Sequence, residues 1–454
     1  MKKQDAILQG VIPFQIVKLA APLLVGDILQ QFYNTIDAVI IGKYIGMEAF
    51  AAVGVASTVM NLFLFALVGF SLGVSILFSQ YYGMKDYKRF REESFLALVP
   101  GSVAVVMFSV LSLLLMNPIL RIIRTPDALL LYAKEYLAFI IGGMVISYLY
   151  NICASLLRSI GDTKSSLIFL TISITVNGML DILFVGKLGI GIKGAAIATC
   201  IAQLLSAVLS IAYIRAKYPL LLFGKSDFQF KKSSVKITIH YGMVSLVHQA
   251  SLYIGKLLIQ GAVNTLGIYG ISAYTSTTRV EGFINSFSNS GGQAISTLTA
   301  QNHGAQNTLR VKGGLKWGLI LMILFGLISS IAMYVGAAQF IKLINYSVTE
   351  NEMHIGIGYL RCISIFYVLC FTASSFVGYF RGIGCINIAL TGTILHITAR
   401  VVLSYILMER YSLTAVAIAS SIGWCMVVTF HLITYMHGKS SVRYIQSKER
   451  YSID

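Results

Sequence analysis

The stretch Ser75-Ile76-Leu77-Phe78-Ser79-Gln80-Tyr81-Tyr82-Gly83 is echoed 221 residues later by Ser296-Thr297-Leu298-Thr299-Ala300-Gln301-Asn302-His303-Gly304. Ser, Leu, Gln and Gly coincide, and Arg89 falls on Arg310 at the same offset. Further on, Arg158-Ser159-Ile160-Gly161 matches Arg381-Gly382-Ile383-Gly384 at 223, and Ala196-Ile197-Ala198 matches Ala417-Ile418-Ala419 at 221. One such match would be weak. Four in register along the whole chain describe a parallel internal repeat.

What repeats is a set of membrane spans. Of the 454 residues 56% are hydrophobic and only 12% charged, where a soluble domain carries about 25% charged residues. Mean hydropathy is +0.77. Apolar runs of about 20 residues, enough to cross roughly 30 Å of hydrocarbon as a helix, recur throughout. Twelve are expected, near 16–42, 50–80, 93–116, 130–156, 165–186, 194–214, 237–263, 270–300, 315–338, 354–380, 386–408 and 413–437. No alternation typical of a β-barrel is present, so the backbone must satisfy itself in lipid as helices. The fold class is therefore an all-α membrane protein of twelve transmembrane helices in two pseudo-symmetric six-helix bundles. The expected domains are an N-terminal lobe with the cation site (1–214), a Lys-rich cytoplasmic linker (215–236), a C-terminal lobe (237–438) and a cytoplasmic tail (439–454). The first dozen residues are short and polar, and no removable signal peptide is read in them.

The net charge of +17 suggests nucleic acid until its distribution is examined. With a cytoplasmic amino terminus, the inside segments hold 22 Lys and Arg and the outside loops 7. That is the positive-inside asymmetry of a multi-pass protein with both termini in the cytoplasm, and it speaks against nucleic acid as a partner.

Asp37 and Asp181 lie deep inside hydrophobic runs. A charge at mid-bilayer costs about 2.5 to 3.5 kcal/mol even on the most lenient scale, so its presence points to ion-coupled transport. The plainer alternative, structural hydrogen-bond partners within a bundle, leaves two coincident costs at matching depth unexplained. Asp27, Gln31, Asn34 and Asp37 fall on an arc of about 120° of the first span. Asn177 and Asp181 are i,i+4 neighbours on the fifth, and Thr199, Gln203, Ser206 and Ser210 form a stripe on the sixth. Carboxylates, an amide carbonyl and a hydroxyl suit a hard cation, while two neighbouring acids that resist joint ionisation suit a proton. The coupling ion is thus Na+ or H+, with no other cofactor. In the second half Leu258, Arg400 and Ser404 stand where Asp37, Asn177 and Asp181 stand in the first, so the chemistry is expected to be one-sided.

Other polar residues have plainer readings. Asp27 is either a cavity residue or an internal partner of a nearby Gln or Ser. Lys256, on a stripe with Gln249, Tyr253 and Gln260, is expected to pair with Glu281, and Arg400 to snorkel or bond a carbonyl. Gly189, Gly191 and Gly194 spell GxGxxG, but in a short loop between spans with no strand–helix unit around it. The six cysteines lack CxxC spacing, which argues against zinc or a disulfide framework. No P-loop or HExxH occurs, so neither direct ATP hydrolysis nor another enzymatic activity is expected.

Pro22, the run Gln31-Phe32-Tyr33-Asn34-Thr35-Ile36-Asp37 with Gly42, Asn177 through Asp181, Gly191-Ile192-Lys193-Gly194-Ala195-Ala196 with Thr199, and Gln301-Asn302-His303-Gly304-Ala305 resemble the multidrug and toxic compound extrusion (MATE) family, nearest its DinF-like branch. The resemblance covers nearly the whole chain. It implies an antiporter of a prokaryotic inner membrane, a monomer in the lipid bilayer, that exports small organic compounds, cationic or amphipathic, against inward Na+ or H+ flow. Carried over by position, Asp37, Asn177, Asp181 and Thr199 would be the cation site, Tyr136 would line the same cavity, and Pro22 would mark a bend of the first helix. Gln31, Asn34, Asp27 and Gln203 are the further cavity candidates. The other main bacterial branch keeps an acid on the seventh helix, where this chain has His248, Gln249 and Leu252, so a second cation site is not expected. A flippase for lipid-linked saccharides of a related two-bundle design is the alternative; it would be expected to show a more cationic central cavity.

Overall fold

The computed structural model describes residues 6–45, 47–122, 127–228, 230–346 and 348–451, leaving aside the side chains of residues 6, 34–39, 42, 47–51, 55, 119, 122, 127–128 and 439–451. The described helices are α1 (Ala6–Gln9), α2 (Ile12–Tyr44), α3 (Met47–Met84), α4 (Tyr87–Leu114), α5 (Met116–Ile122), α6 (Asp127–Gly142), α7 (Met144–Ser159), α8 (Thr163–Asp181), α9 (Ile192–Lys217), α10 (Lys232–Val263), α11 (Gly267–Gly304), α12 (Thr308–Ile344), α13 (Glu350–Ser364), α14 (Tyr367–Gly382), α15 (Ile386–Tyr411) and α16 (Thr414–Tyr451). Two spans are broken. α6 and α7 meet at 46°, α13 and α14 at 52°. α10 and α11 are separate spans joined by the short turn Asn264–Leu266 and Gly267, whose φ of 72° only glycine adopts freely. Counting each broken pair as one, twelve spans result.

The internal repeat reaches down to single dihedral angles. Lys85 (φ 59°) and Gln306 (φ 56°) each turn the chain before a capping residue, Asp86 and Asn307, whose side chains accept from the Arg89 and Arg310 amides. Gly161 (φ 86°) and Gly384 (φ 84°) likewise turn the chain after α7 and α14, but of the residues that follow them Asp162 caps the next helix with its side chain and Cys385 does not. The two broken spans are also equivalents, since Gly143 and Phe366 are 223 residues apart.

Apolar side chains gather into one large buried cluster in each half. The division is not clean at the amino terminus: Ile7, Ile16 and Leu19 pack into the C-terminal cluster, and Arg310 Nη2 donates to the Ile7 and Gly10 carbonyls at 2.8 and 2.7 Å. α2 therefore starts on one lobe and finishes on the other. The linker is tied to α4 through Lys231–Glu92 and Arg91–Asp227 ion pairs, both 3.0 Å, and through Phe223, Phe228 and Phe230 around Phe95.

Where α3 crosses α10, a Cβ on Gly73 would lie 2.1 Å from the Tyr241 carbonyl oxygen, and at Gly69 2.7 Å from that of Ser245. At the end of α3, Gly83 and Gly304 face the opposite helix just as closely: a Cβ would meet the Gln301 oxygen at 1.9 Å and the Gln80 oxygen at 2.1 Å respectively. The lobes are thus closed backbone to backbone at the end where α3, α7, α11 and α14 finish.

Candidate functional site

α8 buries a strict four-residue stripe, Phe169, Ser173, Asn177 and Asp181. The spacing keeps all four on one face, which packs toward α9 and α2. Asp181 is 1% exposed and Asn177 2%. With the Asn177 amide turned so that both its ends are satisfied, Nδ2 donates to Asp181 Oδ2 (3.0 Å) and the Tyr33 hydroxyl (3.3 Å), while Oδ1 accepts from Thr199 Oγ1 (3.3 Å) and the Thr199 amide (3.0 Å). Tyr33 OH also lies 3.3 Å from Thr199 Oγ1. Three spans contribute to one polar knot. Immediately after Asp181 the helix widens into a π-helical segment, Ile182–Lys187, closed by the Leu188 amide on the Leu183 carbonyl at 2.9 Å. Such wide turns are frequent at functional sites. Beside it Tyr33, Asn177, Gly178 and Asp181 line a cavity of about 300 Å³.

The sequence-derived candidates divide into three groups. Asn177, Asp181 and Thr199 come together. Asp37 and Asn34 lie on α2, with position 37 one turn beyond Tyr33, but their side chains fall outside the described residues. The remaining candidates face elsewhere. Asp27 accepts from Ser290 of α11 (3.0 Å), and Gln31 Nε2 is next to Gly282 of the same helix, so this face of α2 looks across to the C-terminal lobe. Gln203 accepts from Ser147 of α7, and Tyr136, 3% exposed, sits in the N-terminal core with its hydroxyl 3.8 Å from Met60 Sδ. Pro22 lies inside α2, which continues through it. Tyr33 was not singled out from sequence; its position one turn before Asp37 was the available signal.

In the C-terminal lobe, Glu281 is 7% exposed and accepts from Tyr359 at 3.0 Å. Lys256 is exposed and forms no ion pair with it, so the expected pair is not made. Tyr253, on the same helix, reaches the other lobe: it donates to the Thr58 carbonyl of α3 (3.1 Å) and stacks on Phe65. Ser404, equivalent to Asp181, is spent on the Arg400 carbonyl of its own helix (2.6 Å).

A second polar arrangement lies at the closed end. Gln80 Nε2 donates to the Gly382 carbonyl of the other lobe (3.2 Å), and Gln301 Nε2 donates back to the Ser159 carbonyl (2.5 Å). Donors and acceptors are both repeat equivalents. The two bonds form a crossed, pseudo-two-fold clasp.

The family model described as MatE matches the chain twice, over residues 22–183 and 245–406, once in each lobe. The chain is 27% identical over 313 residues to the probable multidrug resistance protein YpnP of Bacillus subtilis, covering 68% of this chain and 69% of that protein. It is 24% identical to the probable multidrug resistance protein NorM of Thermotoga maritima, across 96% and 95% of the two. A crystal structure of a MATE protein in a bent conformation superposes with a TM-score of 0.88 at 22% identity, over 98% of this chain and 99% of that one, and has the same fold. With both lobes matched and twelve apolar spans, this multi-pass membrane protein belongs to the MatE family of transporters, the multidrug and toxic compound extrusion proteins.

Proposed function

We propose that the chain is a cation-coupled antiporter that exports small organic compounds, cationic or amphipathic, in the manner of multidrug efflux, by alternating access between its lobes. One observation carries the reading: a carboxylate, Asp181, almost fully enclosed in an apolar bundle and held by Asn177 to oxygens of two further spans. An ion there is costly unless its charge is used. The relatives' description as probable multidrug resistance proteins supports the substrate class. The basic residues beside the closed end, Lys85, Lys88, Arg89 and Arg310, support a cytoplasmic setting for that end and, with it, for both termini.

Asn177 supplies the switch. With both ends of the amide satisfied, its Nδ2 faces the Asp181 carboxylate. A Na+ or proton at the carboxylate removes the need for that donor; the amide turns over, Oδ1 faces the loaded acid, and Nδ2 donates instead to Thr199 Oγ1, 3.3 Å away. In the turned orientation Nδ2 meets the Thr199 N–H as well as Thr199 Oγ1, so two bonds accepted from Thr199 are exchanged for one donated to it, and the cation or proton at Asp181 has to offset that loss between α8 and α9. Asp37, on the same helix as Tyr33, completes the coupling site in this reading.

In proteoliposomes with imposed Na+ or pH gradients, Asp181→Asn is expected to lose uphill export of an organic cation at least 100-fold while inserting and melting normally. Export by the folded variant at the unaltered rate would overturn the coupling role.

A further inference from the structure

Between the lobes, just inside the clasp, lies a cavity of about 20 Å³. Its polar lining is Ser75, Arg158, Gln293, Ser296, Thr297 and Arg381. Arg158 and Arg381 are repeat equivalents, as are Ser75 and Ser296, so the cavity lies on the pseudo-two-fold axis with one arginine from each lobe. Arg158 Nη2 donates to Ser155 of its own helix (2.8 Å), and Arg381 Nη2 donates to His248 Nδ1 (2.8 Å). Among the described residues neither reaches a carboxylate at ion-pair distance. Asp27, the acid whose charge is felt at Arg158, is engaged by Ser290. His248 accepts from Arg381, which requires the neutral ring, so it supplies no counter-charge.

Two part-buried guanidinium groups, one from each lobe, line one cavity with no carboxylate at ion-pair distance, so the cavity presents positive charge and N–H donors to whatever enters it. Ser75 commits its proton to the Leu72 carbonyl at 2.7 Å, while Ser296 and Thr297 offer hydroxyls from the other lobe. The space suits one occupant of about the size of a water molecule. A monatomic anion matches that space more closely than a carboxylate, sulfate or phosphate.

We infer that this cavity is a binding site for a single monatomic anion, chloride under ordinary conditions, held by Arg158 and Arg381. The residues that follow the arginines, Ser159 and Gly382, are those whose carbonyls accept the clasp bonds from Gln301 and Gln80. The site is therefore assembled only while the lobes are closed here, and the anion stabilises that state against the alternative. This ligand is independent of the cation at Asp181.

The test uses the full chain in nanodiscs at constant Na+ and pH, so that the coupling cation does not vary. Replacing gluconate with chloride or bromide is expected to raise the unfolding midpoint saturably, by about 2 °C, and sulfate is expected to have no such effect. Arg158→Gln and Arg381→Gln should each abolish the halide response. An equal midpoint in chloride and gluconate, or a full response in either variant, would overturn the site. Should both variants fail to fold, bromide-soaked crystals of the unaltered chain decide the matter. An anomalous peak between Arg158 and Arg381 supports the site; its absence refutes it.

Discussion

Asp162 illustrates how much one side chain holds outside the membrane-spanning segments. It caps α8, accepting from the Ser165 amide (3.2 Å) and hydroxyl (2.8 Å), and also receives the Tyr213 and Tyr218 hydroxyls (2.9 and 2.8 Å). Burial opposes its charge, but the hydrogen bonds from Tyr218, Ser165 and Tyr213 outweigh it and hold the carboxyl below the usual range. A depressed carboxyl stabilises the fold above its unfolded pKa of about 3.9, and that stability disappears as pH falls through the lower folded value. Asp162→Asn keeps a good cap and removes the charge. It is expected to cost about 1 kcal/mol at pH 7, with the melting curves of variant and parent converging below about pH 4. A constant gap between pH 7 and pH 3 would show that the charge contributes nothing.

At the scale of elements, close helix contact depends on glycines that the repeat duplicates. Helix propensity favours alanine over glycine by about 1 kcal/mol, so Gly83 and Gly304 weaken their own helices. What keeps them is the carbonyl oxygen opposite each, about 2 Å from where a Cβ would stand. The obstacle is backbone and cannot rotate aside. Gly304→Ala is accordingly expected to destabilise the protein by about 2 kcal/mol through overpacking despite its better propensity, and to lengthen spin-label distances between the ends of α3 and α11. A variant as stable as the parent, with unchanged distances, would contradict the contact. The π-helical turn after Asp181 belongs to this scale as well, since Ile182–Lys187 carries no proline or other mark that separates it from ordinary helix.

At the scale of the whole molecule, the two halves grip each other through equivalent bonds in opposite directions. Each clasp bond contributes about 1 kcal/mol, or roughly a fivefold change in the balance between states closed and open at this end. Gln80→Ala and Gln301→Ala are expected to shift that balance by similar factors, and the double variant by about their product. Distance distributions between labels on α7 and α14 would record it. Unchanged distributions in the double variant would assign the closure to glycine packing alone.

The twelve spans and their grouping into two lobes were legible in the sequence because lipid leaves the backbone no alternative to helices, and because the repeat recurs at a nearly constant offset. The grouping of Asn177 with Asp181 was equally legible, since four residues make one helical turn. Helical period states which residues share a face, but it does not name the neighbour opposite that face. Asp27 and Gln31 were therefore read together with Asp37, whereas α2 lies between two lobes and turns the first two toward α11. Lys256 and Glu281 were paired by charge, yet Glu281 is turned inward to Tyr359 and Lys256 stays exposed, with no ion pair between them. The same limit applies to the motif that revealed the fold. Gln80 and Gln301 were visible as repeat equivalents, but a parallel repeat does not say that each glutamine reaches the opposite half. Only the packing of α3 against α10 and α11 brings those side chains to the Gly382 and Ser159 carbonyls and encloses Arg158 with Arg381, because contacts across a pseudo-two-fold axis depend on how the halves dock and not on the order of residues within either.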